Sequence, residues 1–161
     1  MSERFYNANP KARVPWAGPD MSVRSSITAR VMETWAHGQE VFDLLGVVRN
    51  NTDRIKNVVV LGLNTFLWAF SLHGLDAPDS MPYLRLMAPS GEQWEWGDVS
   101  TDNLIEGSAE EFCQVVTQVR NIRDTRLNVI GDTANQWMAI AQCFVGPPEQ
   151  PPAVGTRFTL P

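Results

Sequence analysis

The sequence is poor in cysteine, in positive charge and in long hydrophobic runs, and each shortage excludes a class of protein. Two cysteines among 161 residues do not make a disulfide framework. Lysine and arginine number 13 against 18 aspartate and glutamate, a formal net charge of −5, whereas a nucleic-acid-binding surface needs a basic face. No polybasic run indicates attachment to a membrane surface. We therefore expect neither nucleic acid nor membrane as a partner.

Other absences bear on location and on cofactor chemistry. Residues 1–6 lack the apolar core of a signal peptide, so the expected compartment is the reducing cytoplasm. Cys113 and Cys143 lie in separate helical patterns, where we expect small buried side chains rather than nucleophiles. No phosphate-binding loop, nucleotide fingerprint or catalytic-serine motif occurs. The most apolar run, 58–70, is shorter than the roughly 20 residues that a bilayer requires, so it is predicted to be a buried core helix.

The first third of the chain predicts an extended arm and two long helices. Residues 1–21 contain Pro and Gly with little periodicity and are expected to be the arm. Ser22 is a suitable N-cap for a helix from Val23 to about Leu45, with Gly46 ending it. Its predicted buried stripe is Val23, Ile27, Val31, Val41 and Leu45, widened by Met32, Trp35 and Phe42. A second helix is predicted from Asp53 to about Leu72.

The remainder alternates strands with helices, which together with the first two helices predicts an α+β fold. Strand patterns cover 83–87, 93–96 and, briefly, Leu104 and Ile105. A capping box of Ser108 and Glu111 opens a helix expected to reach Ile122. A strand at 127–130 and a helix opened by Thr133 and Gln136, ending near Phe144, follow. Residues 149–161 are expected to be a tail.

Glu33 and His37 are the candidate metal ligands. They are four residues apart, so on a helix both side chains lie on one face, with Cβ atoms about 5–6 Å apart. A carboxylate oxygen and an imidazole nitrogen can occupy two corners of a zinc coordination sphere, each at about 2.0–2.2 Å. The alternative is an ordinary Glu–His pair on a helix surface, and spacing does not decide between the two.

A wider set of segments resembles the DinB-like metal-binding proteins related to mycothiol-dependent maleylpyruvate isomerase. The segments are residues 13–22 (RVPWAGPDMS), 29–41 (ARVMETWAHGQEV), 88–91 (APSG), 94–97 (WEWG), 112–118 (FCQVVTQ) and 139–144 (AIAQCF). The resemblance implies two long helices of a DinB-like bundle at 22–76, followed by a small sterol-carrier-protein-like α/β domain at 80–148. Glu33 and His37 match two of the family's three metal ligands. The third is a histidine on an earlier helix, and we expect this chain to begin after the position of that helix.

The resemblance also implies a chemistry. A divalent metal would keep the thiolate of a low-molecular-weight thiol ionised, in a thiol-dependent isomerase or transferase. The ligand types indicate that this metal is zinc. The family has an arginine in its C-terminal domain facing the site, where it can grip a small-molecule carboxylate substrate. Arg120 is the first candidate for this catalytic role and Arg123 the second. Their alternative role is a favourable charge at a helix C-terminus.

A second hypothesis is a non-catalytic, truncated family member that serves as a binding or structural, dimerising domain. Within the chain, only Glu40, Asp43 and His73 offer themselves as a third ligand. If bundle helices are missing, the apolar faces of the two predicted helices need cover. We therefore expect a homodimer, or a partner that supplies the missing helices.

Overall fold

A computed structural model describes residues 7–15 and 20–157, so parts of the predicted arm (1–21) and tail (149–161) lie outside the described residues. The fold is mixed α+β, as expected. In chain order the elements are β1 Arg13–Val14, β2 Met21–Ser22, α1 Val23–Leu45, a 3-10 turn Asp53–Ile55, α2 Lys56–Asn64, α3 Phe66–Leu72, β3 Tyr83–Met87, β4 Gln93–Trp96, β5 Leu104–Ser108, α4 Ala109–Val116, a 3-10 turn Ile122–Asp124, β6 Asn128–Ile130 and α5 Asp132–Ile140. The finer arrangement, a partial DinB-like bundle followed by a sterol-carrier-like domain, stays a prediction.

The first helix has the predicted bounds and the predicted caps. The Ser22 hydroxyl accepts the backbone N–H of Ser25 at 3.1 Å, which satisfies one of the free donors at the helix start. Gly46 ends the helix with φ 64°, in the left-handed region where glycine carries no Cβ penalty. Its N–H bonds the carbonyl of Asp43 at 3.1 Å. Local sequence signals therefore suffice to define this helix.

The face of α1 that is buried differs from the predicted stripe. Of the predicted stripe, only Val23 is buried; the other four residues are exposed: Ile27 39%, Val31 38%, Val41 56% and Leu45 67%. Met32 and Trp35, which were predicted to widen the stripe, are buried, and so are Ala36, Gln39 and Asp43. The stripe is wrong because it ranked positions by hydrophobicity, whereas Asp43 is buried against Arg120 and Gln39 is buried against Asp43.

The predicted second helix is not continuous. A 3-10 turn at Asp53–Ile55 precedes α2, and α2 and α3 are bent by 48° around Thr65. The Thr65 hydroxyl bonds the carbonyls of Leu61 and Gly62 at 3.1 and 3.0 Å, and such back-bonding to the preceding turn bends helices. The single predicted helix from Asp53 to Leu72 is therefore corrected to two.

The predicted core character of 58–70 is confirmed. Val59, Ala69 and Phe70 are completely buried. Gly62 packs closely on α4, where a Cβ would lie 3.1 Å from the methyl groups of Val116. Within the described residues no single helix is long and apolar enough to cross a bilayer. The bent pair of Asp53–Asn64 and Phe66–Leu72 has that length and composition only when its two helices are counted together.

A four-stranded sheet follows, in the order β4-β3-β5-β6. The central pair, β3 and β5, is parallel, while β4 and β6 run antiparallel to their neighbours. The predicted hairpin of β3 and β4 is confirmed, with Leu86 opposite Trp94. The inward side chains Leu84, Leu86 and Ile105 are completely buried. The sheet therefore forms one wall of the core that the helices cover.

Both later helices end before their predicted ends. Helix α4 stops at Val116 rather than near Ile122, and the chain turns at Gln118, which has φ 56°. The Gln118 amide donates to the Ala141 carbonyl at 3.1 Å, a tertiary contact that local periodicity does not reveal. Ser108 caps α4 as predicted, but Glu111 accepts from the N–H of Arg126 instead of completing the capping box.

Helix α5 begins at Asp132 and ends at Ile140 instead of near Phe144. Its N-cap is Gly131, which makes no side-chain cap, so the predicted capping box of Thr133 and Gln136 is wrong. The chain leaves the helix because the N–H of Cys143 bonds the Val116 carbonyl at 2.9 Å, tying this segment to the end of α4.

Gly131 is predicted to be the glycine least tolerant of substitution. Its φ is 92°, and a Cβ there would lie 2.3 Å from the carbonyl oxygen of Asp102. Gly131→Ala is expected to lower the free energy of unfolding by more than about 3 kcal/mol in urea denaturation. The matched control is Gly91→Ala, at φ 87° with nothing within 4 Å of the added Cβ, which should cost about 1–2 kcal/mol. Equal losses would show that close approach to Asp102 does not constrain this turn.

Candidate functional site

Glu33 and His37 lie on one face of α1, as their spacing predicts. Glu33 Oε2 and His37 Nε2 are 3.6 Å apart. Two ligand atoms on one tetrahedral zinc ion, each at about 2.1 Å, are separated by about 3.4 Å. The two side chains therefore have the separation that a shared metal ion requires, without any change of helix geometry.

A second carboxylate approaches the same imidazole from its other side. Glu40 Oε2 lies 3.3 Å from His37 Nδ1, and Glu40 Oε1 pairs with Arg157 Nη2 at 3.0 Å. The imidazole is 75% exposed, whereas Glu33 and Glu40 are half-buried, at 40% and 36%. Sequence reasoning did not include Arg157, because no local pattern connects a tail arginine with this helix.

These residues line a cleft of about 430 Å³, called here the helix cleft. One wall is α1, with Glu33, His37 and Glu40, and the floor includes residues 117–119. The opposite wall is residues 145–157, called here the C-terminal strap. His37 therefore lies at the rim of a concave surface, where a small molecule has access to it.

The strap is fixed by hydrogen bonds to the turn that follows α4. Gln118 Nε2 donates to the Glu149 carbonyl at 3.3 Å, and Asn121 Nδ2 donates to the Pro152 carbonyl at 2.9 Å. The Asp124 carboxylate accepts the N–H of Gly155 at 2.9 and 3.0 Å. The described part of the predicted tail is therefore an ordered wall of the cleft.

The described residues do not offer a full set of metal ligands. Across residues 7–15 and 20–157, no group of three or more His, Cys, Asp or Glu side chains is arranged to bind one ion. Glu33 and His37 fit two coordination positions, and the others would fall to water, a ligand or donors outside the described residues. The described residues therefore bring together two of the ligands that a metal site needs.

The structure does not bring Arg120 or Arg123 into the helix cleft. Arg120 is 5% exposed and forms a bidentate pair with Asp43, with Nη1–Oδ2 at 2.9 Å and Nη2–Oδ1 at 3.0 Å. Arg123 is exposed, in the second 3-10 turn. Neither is in the last turn of α4, because that helix stops at Val116. The catalytic role expected for these two arginines stays a prediction.

Asp43 and Arg120 line a second, polar cleft of about 600 Å³ on another side of α1. Gln39, also buried, donates its amide N–H to Asp43 Oδ1 at 2.9 Å. Burial raises the pKa of Glu110 in this cleft, with Asn51 and Arg49 opposing part of the shift. The cleft therefore combines an internally neutralised ion pair with a carboxyl group that resists ionisation.

Arg49 holds the segment after α1 against the helix. Its Nη1 donates to the Trp35 carbonyl at 2.7 Å, and its guanidinium lies over the rings of Trp35 and Phe42 at 5.2 and 5.4 Å. A Cβ at Gly38 would lie 3.3 Å from Arg49 Nη1. Glycine in mid-helix costs about 1 kcal/mol relative to alanine, and here it leaves space for this contact.

The cysteines and the second histidine lie outside the helix cleft. Cys113 and Cys143 are free and buried, as expected, and burial raises the pKa of both thiols well above the ordinary range. His73 is the C-cap of α3 and lines none of the clefts described above. Of the three candidate third ligands, only Glu40 shares the cleft with Glu33 and His37.

Breaking the buried ion pair is expected to be costly. Arg120→Met leaves the Asp43 carboxylate buried without its cation, with an expected loss of about 3–5 kcal/mol in the free energy of unfolding. In an Asp43→Asn background the same substitution should cost much less, because the residue left behind is a neutral amide. Urea denaturation of the four proteins measures the coupling. Additive losses would mean that the pair contributes no interaction energy.

Comparison with known proteins supports the maleylpyruvate-isomerase-like part of the resemblance found in the sequence, whereas the DinB-like metal-binding part stays a prediction. The family profile described as the mycothiol maleylpyruvate isomerase N-terminal domain matches residues 1–42, which include Glu33, His37 and Glu40. No solved structure is significantly similar to the chain.

Two curated relatives are each 43% identical to this chain over 136 residues. Both are uncharacterised proteins of Mycobacterium tuberculosis, one from strain CDC 1551 / Oshkosh and one from strain ATCC 25618 / H37Rv. The match covers 84% of this chain and 53% of each relative, so the chain spans about half the length of these relatives. The profile match thus supports a relation between this chain and the maleylpyruvate-isomerase-like family.

Proposed function

We propose that this chain is a metal-binding relative of mycothiol maleylpyruvate isomerase, in which Glu33 and His37 bind a divalent metal ion. The observation that carries the proposal is the 3.6 Å separation of Glu33 Oε2 and His37 Nε2 at the rim of a cleft. Carboxylate oxygen and imidazole nitrogen are ligands that zinc accepts, and zinc is the proposed ion. The profile match over the segment that contains both residues supports the same assignment.

The proposed activity is a thiol-dependent isomerisation or transfer. When bound, the metal would supply a cation that keeps an incoming low-molecular-weight thiol ionised. The chain itself supplies the cleft of about 430 Å³ between α1 and the strap, which limits the substrate to a small molecule. A small carboxylate remains the proposed substrate. Arg120 and Arg123, the arginines expected to bind it, lie outside this cleft, and Arg120 is paired with Asp43.

Zinc titration by calorimetry tests the metal assignment. We expect a weak site in the parent protein, because two protein ligands leave the ion partly hydrated. His37→Ala and Glu33→Gln should each lower the affinity by at least about tenfold, since removing a ligand costs no less than removing an outer-shell partner. Glu95→Gln, an exposed carboxylate on β4, is the matched control and should bind as the parent does. A tight site that survives His37→Ala would place the metal elsewhere.

A second candidate function, a dimerising structural domain, is favoured by one observation. Five apolar residues at and just after the end of α1 are exposed: Val41 56%, Leu44 86%, Leu45 67%, Val47 49% and Val48 56%. Each such side chain gains about 1.5–3 kcal/mol when it is fully buried. A two-fold contact between copies of this segment is the simplest way to cover it. We propose a homodimer formed through this surface.

Light scattering at micromolar concentration tests the dimer. The parent is expected to have the mass of a dimer, and Leu44→Glu the mass of a monomer, because the substitution puts a charge into the contact. Val99→Glu is the matched control, since Val99 is also exposed, at 81%, but lies in a loop before β5. A stable, soluble monomer of the parent protein would contradict this proposal.

A further inference from the structure

The two nitrogens of His37 face two different carboxylates. Nε2 lies 3.6 Å from Glu33, and Nδ1 lies 3.3 Å from Glu40. Only the second distance is that of a hydrogen bond. The three residues are spaced i, i+4 and i+7 on α1. The two carboxylates contact different nitrogens of the ring, and the three residues do not form a group that could hold one ion.

A neutral imidazole has one N–H and one lone pair, and the hydrogen bond made by one nitrogen determines the state of the other. Glu40, as the hydrogen-bonded acceptor, takes the proton on Nδ1. Nε2 is then left with a lone pair, 3.6 Å from Glu33 Oε2. An unprotonated nitrogen and a carboxylate at this distance are two acceptors without a donor, which is the arrangement that a cation completes.

We infer that Glu40 is a positioning residue for His37, which fixes the Nδ1–H tautomer so that Nε2 is free to bind a metal together with Glu33. Histidine ligands generally donate their other N–H to a carboxylate or carbonyl, which fixes the ring and raises its basicity. Glu40 is therefore an outer partner of the site and not its third ligand. Glu33 and His37 Nε2 would hold the metal, while Glu40 contacts His37 through Nδ1.

Arg157 completes the arrangement by orienting Glu40. One oxygen of the Glu40 carboxylate pairs with Arg157 at 3.0 Å, which leaves the other oxygen for His37. Arg157 belongs to the C-terminal strap, which the Asp124 carboxylate and the Asn121 amide fix to the body of the protein. The orientation of His37 thus depends on a segment 120 residues further along the chain (157 − 37).

The alternative is that these carboxylates are ordinary helix-surface pairs. Pairs of this kind stabilise a helix by only about 0.2–0.5 kcal/mol each, too little to hold an exposed imidazole mainly in one tautomer. The test must therefore measure the tautomer of His37 directly. It must also work without metal, because metal binding by this site rests on the proposed function.

The first experiment measures the tautomer of the His37 imidazole by 15N-detected NMR. It uses the full chain, free of metal, at a pH where His37 is neutral. We expect the parent to be mainly Nδ1–H. Glu40→Ala should shift the population toward Nε2–H, the form that an unrestrained side chain prefers, and Glu40→Gln should restore part of the parent signal through its amide oxygen. Glu33→Ala is the matched control, because it removes the other carboxylate and should leave Nδ1–H in place. Equal populations in the parent and Glu40→Ala would overturn the inference.

The second experiment measures the zinc affinity of the same variants by titration. Glu40→Ala is expected to weaken binding about 10–100-fold, the usual effect of removing an outer-shell partner, whereas Glu33→Ala should abolish it. If zinc binds equally to the parent and to Glu40→Ala, the positioning role is wrong while the proposed metal site stands. If the parent does not bind zinc at all, the proposed function is wrong, and the tautomer measurement still decides the role of Glu40.

Discussion

The attachment of α1 to the rest of the molecule is the constraint on which the site depends. Its C-terminal half is fixed by the buried ion pair between Asp43 and Arg120, residues 77 positions apart in the chain. Its middle is fixed by Trp35, which is 6% exposed and whose indole N–H bonds Asn51 at 2.8 Å. A buried ion pair is a poor source of net stability but a strong determinant of orientation, because a misplaced charge is left without a partner. It therefore determines which face of the helix is buried.

The orientation of α1 has a direct consequence for chemistry. With Trp35 and Asp43 inward, Glu33, His37 and Glu40 lie toward the C-terminal strap and form the helix cleft with it. The same rotation leaves Val41 and Leu45 exposed at the other edge of the helix. The same orientation of α1 thus accounts for both the helix cleft and the exposed apolar surface, on which the two proposed functions rest.

Local signals in the sequence determined part of this structure. The α+β class, the hairpin of β3 and β4, and the bounds of α1 follow from periodicity and from caps at Ser22 and Gly46. The common face of Glu33 and His37 follows from their spacing alone. These features need contacts within a few residues, so the sequence predicts them directly.

Tertiary contacts decided the rest. The burial of Asp43 depends on Arg120, which no local pattern connects with α1. The early end of α4 depends on Gln118 bonding the Ala141 carbonyl, and the approach of Arg157 to Glu40 depends on the course of the strap. Each is a polar pairing across more than 20 residues, which single-sequence periodicity does not contain.

X-ray absorption spectroscopy of the zinc-loaded protein tests zinc binding by Glu33 and His37, because it reports the ligands of the bound ion. Binding by this pair predicts a single imidazole per zinc ion, with the remaining ligands oxygen donors, all at about 2.0–2.2 Å. A sulfur shell near about 2.3 Å, or a zinc ion without imidazole, would contradict it. Either result would show that the pair of Glu33 and His37 is a feature of the helix surface and not a metal site.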